Sequence, residues 1–243
     1  MTEAAGRRYL AIAEGLVARL ASDTWRSIDA AATLLADAIA TGHTVHAFGS
    51  GHSHMLAEEL FYRAGGLVRV RPLLFEGLML HASAPLSTAL ERLPGLAQAL
   101  LDDHAIAPGD VLLICSNSGS NTVTVDLARL ARDSGVHIIA ITSLRHATSP
   151  QARVTGGPRL HEMAEVVIDN GGFVGDAAVD IDGLATRVGP TSTVVGAAIV
   201  NALVAETVER VVARGVIPDI YASSNVAGGD AANQRFMRPH ATP

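Results

Sequence analysis

One arrangement occurs twice in this chain and limits the folds open to it: a short segment that reads as a strand, a loop of serine and glycine, then a segment of helix-forming residues. Thr44 to Phe48 runs into Gly49-Ser50-Gly51-His52-Ser53, and helix formers follow as far as Arg63 before Gly65-Gly66 stops them. Pro108-Gly109 opens the second copy. There Val111 to Cys115 leads into Ser116-Asn117-Ser118-Gly119-Ser120 and a helix from about Asn121 to Asp133, ended by Gly135. Strands that are apolar at every position are buried on both faces, so such strands alternating with helices predict a parallel sheet covered on each side. The expected class is α/β, a doubly wound three-layer αβα sandwich.

The rest of the chain fits that frame. Trp25, Ile28, Ala32, Leu35 and Ile39 recur at helical spacing between a cap at Ser22 or Asp23 and a stop at Gly42. Leu67 to Arg71, Val136 to Ile141 and Ala164 to Ile168 read as further strands, and Leu86 to Leu101 as a helix interrupted near Pro94. Gly171 to Pro190 is long and glycine-rich, which suits a working loop better than packing. Thr191 to about Arg214 predicts a last helix, apolar around most of its circumference and so buried in the core or against another subunit. Trp25 and Phe61 are expected to pack. A single domain is expected over 1–243, with N-terminal helices in 1–42, the αβα core in 43–214 and an irregular tail in 215–243 that holds Pro218, Gly228-Gly229 and Pro239.

Composition removes several kinds of chemistry. With 49% hydrophobic and 17% charged residues, the chain has enough apolar surface for a core. The 18 basic residues, against 24 acidic ones, give a net charge of -6, which argues against a nucleic-acid partner. All of the basic residues are arginines. Lysine Schiff-base chemistry, a pyridoxal-phosphate lysine and the P-loop lysine are thereby excluded. Cys115 stands alone and calls for no oxidising compartment, so a cytoplasmic setting is expected. The first 20 residues lack a signal core, and Val194 to Ala205 falls short of the ~20 residues a membrane span needs, so no export or membrane anchoring is expected.

In an open parallel sheet, ligands bind beyond the carboxyl ends of the strands, where helix N-termini present N–H groups. Both serine–glycine loops fall there. Ser116, Ser118 and Ser120 offer three hydroxyls, Gly119 permits close backbone approach, and Asn121 or Ser120 can cap the following helix. Such a loop makes a neutral phosphate cradle. Gly49 and Gly51 match the first two positions of a dinucleotide fingerprint, but His54 stands where the third glycine belongs, so NAD is not expected. His54 and Glu58 share a helix face and could hold a metal, yet no third ligand lies near them in sequence, and a simple His–Glu hydrogen bond explains the pair. Glu76 and His81, and Arg145, His146 and Ser149, follow strands and can approach the same edge. Cys115 ends a buried strand and reads as core, not as a nucleophile.

The paired loops, Gly49-Ser50-Gly51-His52-Ser53 and Ser116-Asn117-Ser118-Gly119-Ser120, resemble the two signature loops of the sugar isomerase (SIS) domain, over roughly Ala11 to Arg214. Ala57-Glu58-Glu59-Leu60 resembles a segment of phosphoheptose isomerase, and the chain as a whole looks like a group of stand-alone bacterial SIS proteins. The resemblance implies a five-stranded parallel sheet and a homodimer or homotetramer with its site at a subunit interface. It also implies a sugar phosphate held by Ser53 and the 116–121 loop. Glu59 takes the place of the family's general base, with Glu58 as rival because the spacing from loop to glutamate is shorter here. Where that relative carries a histidine at the start of its last helix, this chain has Gly189-Pro190-Thr191-Ser192-Thr193, so an acid role falls to His52, His54, His81 or a partner subunit. Some phosphoheptose isomerases hold zinc; no cofactor is expected here, with zinc at His54 and Glu58 as the exception to test.

The expected function is aldose–ketose isomerisation of a sugar phosphate by glutamate-assisted proton transfer through an enediol. The alternatives are a phosphosugar lyase or etherase, as SIS domains perform on N-acetylmuramate phosphate, and a non-catalytic phosphosugar sensor. The expected ligand-binding residues are Gly49, Ser50, Gly51, Ser53, Ser116, Asn117, Ser118, Gly119, Ser120 and Asn121, with Glu59, Glu58, His54 and His52 as the catalytic candidates.

Overall fold

The computed structural model describes residues 3–153 and 157–236. Two helices, α1 (Ala5–Leu20) and α2 (Trp25–Ala40), precede β1 (Val45–Gly49), a 3-10 turn at Gly51–Ser53, α3 (His54–Leu60) and β2 (Val70–Pro72). Then come α4 (Ala84–Leu90), α5 (Leu96–Asp103), β3 (Val111–Cys115), α6 (Thr122–Asp133) and β4 (His137–Thr142). The chain continues through α7 (Leu144–Ala147), α8 (Leu160–Met163), β5 (Val166–Asp169), β6 (Ala177–Val179), β7 (Val188–Pro190), α9 (Ser192–Ala213) and α10 (Gly229–Asn233).

Five strands form one parallel sheet in the order β2-β1-β3-β4-β5. The inner strands are apolar at most positions because both of their faces are covered, with β3 apolar throughout, His46 buried in β1 and Thr142 buried at the end of β4. Val45, Ala47, Val111, Leu113, Ile139 and Ile141 pack under α1, α2, α3 and α9, while the alternate residues Phe48, Leu112, Ile114 and Ile138 pack under α5, α6 and α8. The predicted αβα sandwich with a five-stranded parallel sheet is the observed architecture.

The crossovers set the position of the site. From β1 the chain passes through α3 on one face to β2, then returns through α4 and α5 on the other face to β3. The loops leaving β1 and β3 therefore diverge to opposite faces and open a crevice between them, the place where doubly wound sheets bind ligands.

Several local expectations are corrected. The helix after the first loop ends at Leu60 rather than Arg63, because Phe61 is extended and Tyr62 adopts a φ of 48°. The strand read as Leu67 to Arg71 is Val70–Pro72, and Leu67 instead forms an antiparallel bridge with Ile220. Pro94 separates α4 and α5, which are two distinct helices. The Gly171 to Pro190 stretch contains the antiparallel ribbon of β6 and β7. The tail read as irregular carries α10 and bonds back to the Gly65–Val68 segment; its residues 237–243, Pro239 among them, lie outside the described residues. Trp25 and Phe61 are more exposed than packing residues would be, at 38% and 44%.

Candidate functional site

A cleft of about 240 Å³ lies at the carboxyl edge of the sheet. Ser53 and Leu56 of the first loop and α3 form one wall, Ser116 and Asn117 of the second loop the floor, and Ser192 and Thr193 at the start of α9 the opposite side. The first loop turns so tightly that a Cβ on Gly49 would stand 2.3 Å from the Ser53 carbonyl oxygen, so only glycine fits there. Gly119 has a φ of 59°, in the left-handed region, which lets the second loop fold under the α6 N-terminus.

The second loop spends part of its polarity on itself. Gly119 N–H donates to Ser116 Oγ at 3.1 Å, and Ser120 Oγ donates to Ser118 Oγ at 3.3 Å. Asn170, buried at the end of β5, donates its amide to Asn117 Oδ1 at 3.1 Å while accepting the Gly172 N–H at 2.9 Å, which fixes the Asn117 amide against the cleft. Asn121 holds the N-cap position of α6 without the side-chain cap bond expected of it, since its side chain hydrogen-bonds to Glu91 instead. Glu91 also accepts from Ser50 Oγ at 3.1 Å, so Ser50 is turned toward α4, while Ser53 lines the cleft.

Glu59 accepts the Asn201 amide at 2.8 Å and pairs with Arg63 at 2.9 Å, which anchors it between α3 and α9. Glu58 is exposed, and its Oε1 lies 3.7 Å from His54 Nε2. His54 is buried, with Nδ1 on the Gly51 carbonyl and its ring edge toward His81 at a centroid distance of 6.1 Å; His52 is exposed. His81 itself lies 3.9 Å from Glu76. Among the described residues no three His, Cys, Asp or Glu side chains form a metal-ligand group. The His54–Glu58 pair thus supplies two donors where a zinc site takes three or four.

A carboxylate stands at the start of α9. Asp176 accepts from the Thr191 and Ser192 N–H groups at 3.1 and 2.8 Å and from Ser192 Oγ at 2.5 Å. It caps the helix from within the Gly171 to Pro190 stretch. Next to it, His146 Nδ1 accepts the Gly175 N–H at 2.9 Å, and burial together with the Arg159 charge lowers the His146 pKa. Arg145 stacks over Phe173 at 5.0 Å. Burial pushes the Cys115 thiol up to about 12, in accord with a core role.

Glu91, Asp176 and Asn170 were not legible as site residues. Each bonds a residue of another segment, Ser50, Ser192 and Asn117 in turn, and no local pattern of residue types marks them.

Among the described residues, no helix is long and apolar enough to cross a membrane. The family described as SIS domain matches residues 8–143. A UPF0309 protein of Listeria monocytogenes serotype 4b (strain CLIP80459) is 39% identical over 229 residues, which is 94% of this chain and 93% of the relative. A UPF0309 protein of Geobacillus kaustophilus (strain HTA426) is 43% identical over 210 residues, covering 86% of this chain and 84% of that one. Among solved structures, a phosphoheptose isomerase from Francisella tularensis superposes with a TM-score of 0.55 at 17% identity, over 83% of this chain and 95% of that chain, a likeness of fold. With both signature loops at the crevice of the sheet and relatives matched along nearly its whole length, this chain belongs to the SIS domain family.

Proposed function

We propose that this protein binds a phosphorylated sugar in the cleft and isomerises it between aldose and ketose through an enediol. The observation that carries this reading is the meeting of Ser53, Ser116 and Asn117 with the start of α9 at one crevice. In this reading the phosphate lies against the two loops, held by hydroxyls and N–H groups, and the sugar runs along the α3 face. Ser53 and Leu56 line the cleft, and Glu59 lies farther along α3, outside that lining.

Glu59 then takes the proton from the carbon beside the carbonyl and returns it to the neighbouring carbon. The hydroxyl proton moves in the same direction, from the hydroxyl oxygen to the former carbonyl oxygen. Asn201 and Arg63 hold Glu59 in place, and Glu58 is the rival base. A second copy of the chain belongs to this reading, since the start of α9 lines the cleft and the same helix keeps Val194 and Val212 exposed.

The test is a thermal-shift screen of sugar phosphates against the unphosphorylated sugars, followed by mass-resolved turnover of the responding compound. Isomerisation leaves product mass unchanged, whereas a lyase releases a fragment. Full turnover by a Glu58→Ala, Glu59→Ala double variant sinks the mechanism. A second reading, a phosphosugar sensor without turnover, draws on the Asp176–Ser192 pair at the start of α9, which offers no histidine acid. Ligand-induced stabilisation with no change in the bound sugar over long incubation decides for it.

A further inference from the structure

Glu91 touches both signature loops. Its Oε2 accepts from Ser50 of the first loop at 3.1 Å, its carboxyl hydrogen-bonds the Asn121 side chain of the second, and its backbone carbonyl takes the Val123 N–H at 3.1 Å in the first turn of α6. The two loops leave adjacent strands toward opposite faces of the sheet, and this residue, at the end of α4, bonds to both.

The clasp has an electrical side. The charged groups facing Glu91 are Arg92 on its own segment and Arg153 from the stretch between α7 and α8, while the loops present the neutral Ser50 and Asn121. Burial raises its pKa above the ordinary carboxyl range. An ionised carboxylate beside an anion cradle repels the anion, whereas a protonated one does not.

We propose that Glu91 is a positioning residue of the phosphosugar site, one that clasps the two signature loops together and makes anion affinity depend on its own charge, so that a phosphate group binds more tightly when this carboxyl carries a proton. The proposal rests on the phosphosugar reading above.

Sulfate serves as probe beside inorganic phosphate, because sulfate keeps its charge over the range used. Binding is titrated calorimetrically at about pH 5.5 and about pH 8.5 for the wild type, Glu91→Gln, Glu91→Ala and Ser50→Ala. The wild type is expected to bind sulfate about fivefold less tightly at the higher pH than Glu91→Gln does, and the gap to narrow at the lower pH. Ser50→Ala cuts one arm of the clasp and leaves the charge, so it weakens binding while keeping the wild-type pH slope. If Glu91→Gln keeps the wild-type slope, the proposal is overturned and the phosphosugar reading stands. If the wild type binds neither sulfate nor phosphate nor any sugar phosphate, the phosphosugar reading falls and the proposal falls with it. A Glu91→Gln protein that does not fold leaves Ser50→Ala as the deciding variant, and a flat slope there overturns the proposal.

Discussion

Asp176 has a φ of 69°, a region that asparagine, aspartate and glycine tolerate best, and it is held there by the two N–H groups it caps at the start of α9. Asp176→Ala loses the cap and meets the backbone penalty together. A loss of about 2 kcal/mol is expected, read as a fall of about 5 °C in melting temperature, with Asp176→Asn losing about half as much. His46 makes a second prediction, at the far end of the sheet. It is buried, with Nε2 3.1 Å from Asp110 Oδ2 and Nδ1 without a hydrogen-bond partner; burial outweighs the Asp110 attraction and lowers its pKa. A histidine with a depressed folded pKa adds stability above its unfolded value of about 6.5 and loses it as pH falls through that value toward the folded one. Melting temperature is therefore expected to drop between about pH 7 and about pH 5, and His46→Gln to flatten the drop.

At the scale of elements, the first loop is the most constrained joint. Gly49→Ala drives a methyl group into the Ser53 backbone, so it is expected to destabilise the fold by several kcal/mol and to abolish the thermal shift given by a sugar phosphate. The strand, loop and helix units were legible because polar residues crowd directly behind apolar runs, and the order of those units fixes the sheet. The ends of α3 and β2 were not, since they depend on the conformation at Tyr62 and on pairing with a tail 150 residues away. The site divides in the same way. Ser53, Ser116 and Asn117 could be read from the loops, but Asn121 serves Glu91 instead of capping α6, a choice set by α4 packing against the second loop.

At the scale of the molecule, α9 keeps Val194 and Val212 exposed on a helix whose other faces are buried, as a surface awaiting another copy would. Light scattering after size-exclusion chromatography is expected to give a dimer or tetramer, and Val194→Glu to shift it toward the monomer and weaken ligand binding in parallel. A monomeric wild type that binds a sugar phosphate with full affinity would remove the second copy from the site. The tail has a different bearing. Leu67 bridges Ile220, Val68 N–H donates to the Asp219 carbonyl, and Gly66 and Tyr221 bond across the same junction, with the rings of Tyr62, Tyr221 and Phe236 packed edge to face beside it. The segment leading into β2, one of the two edge strands, is therefore already paired with the chain's own C-terminal segment. A copy that meets that stretch finds its backbone groups taken, so the tail acts there as a stopper against fibre-like growth.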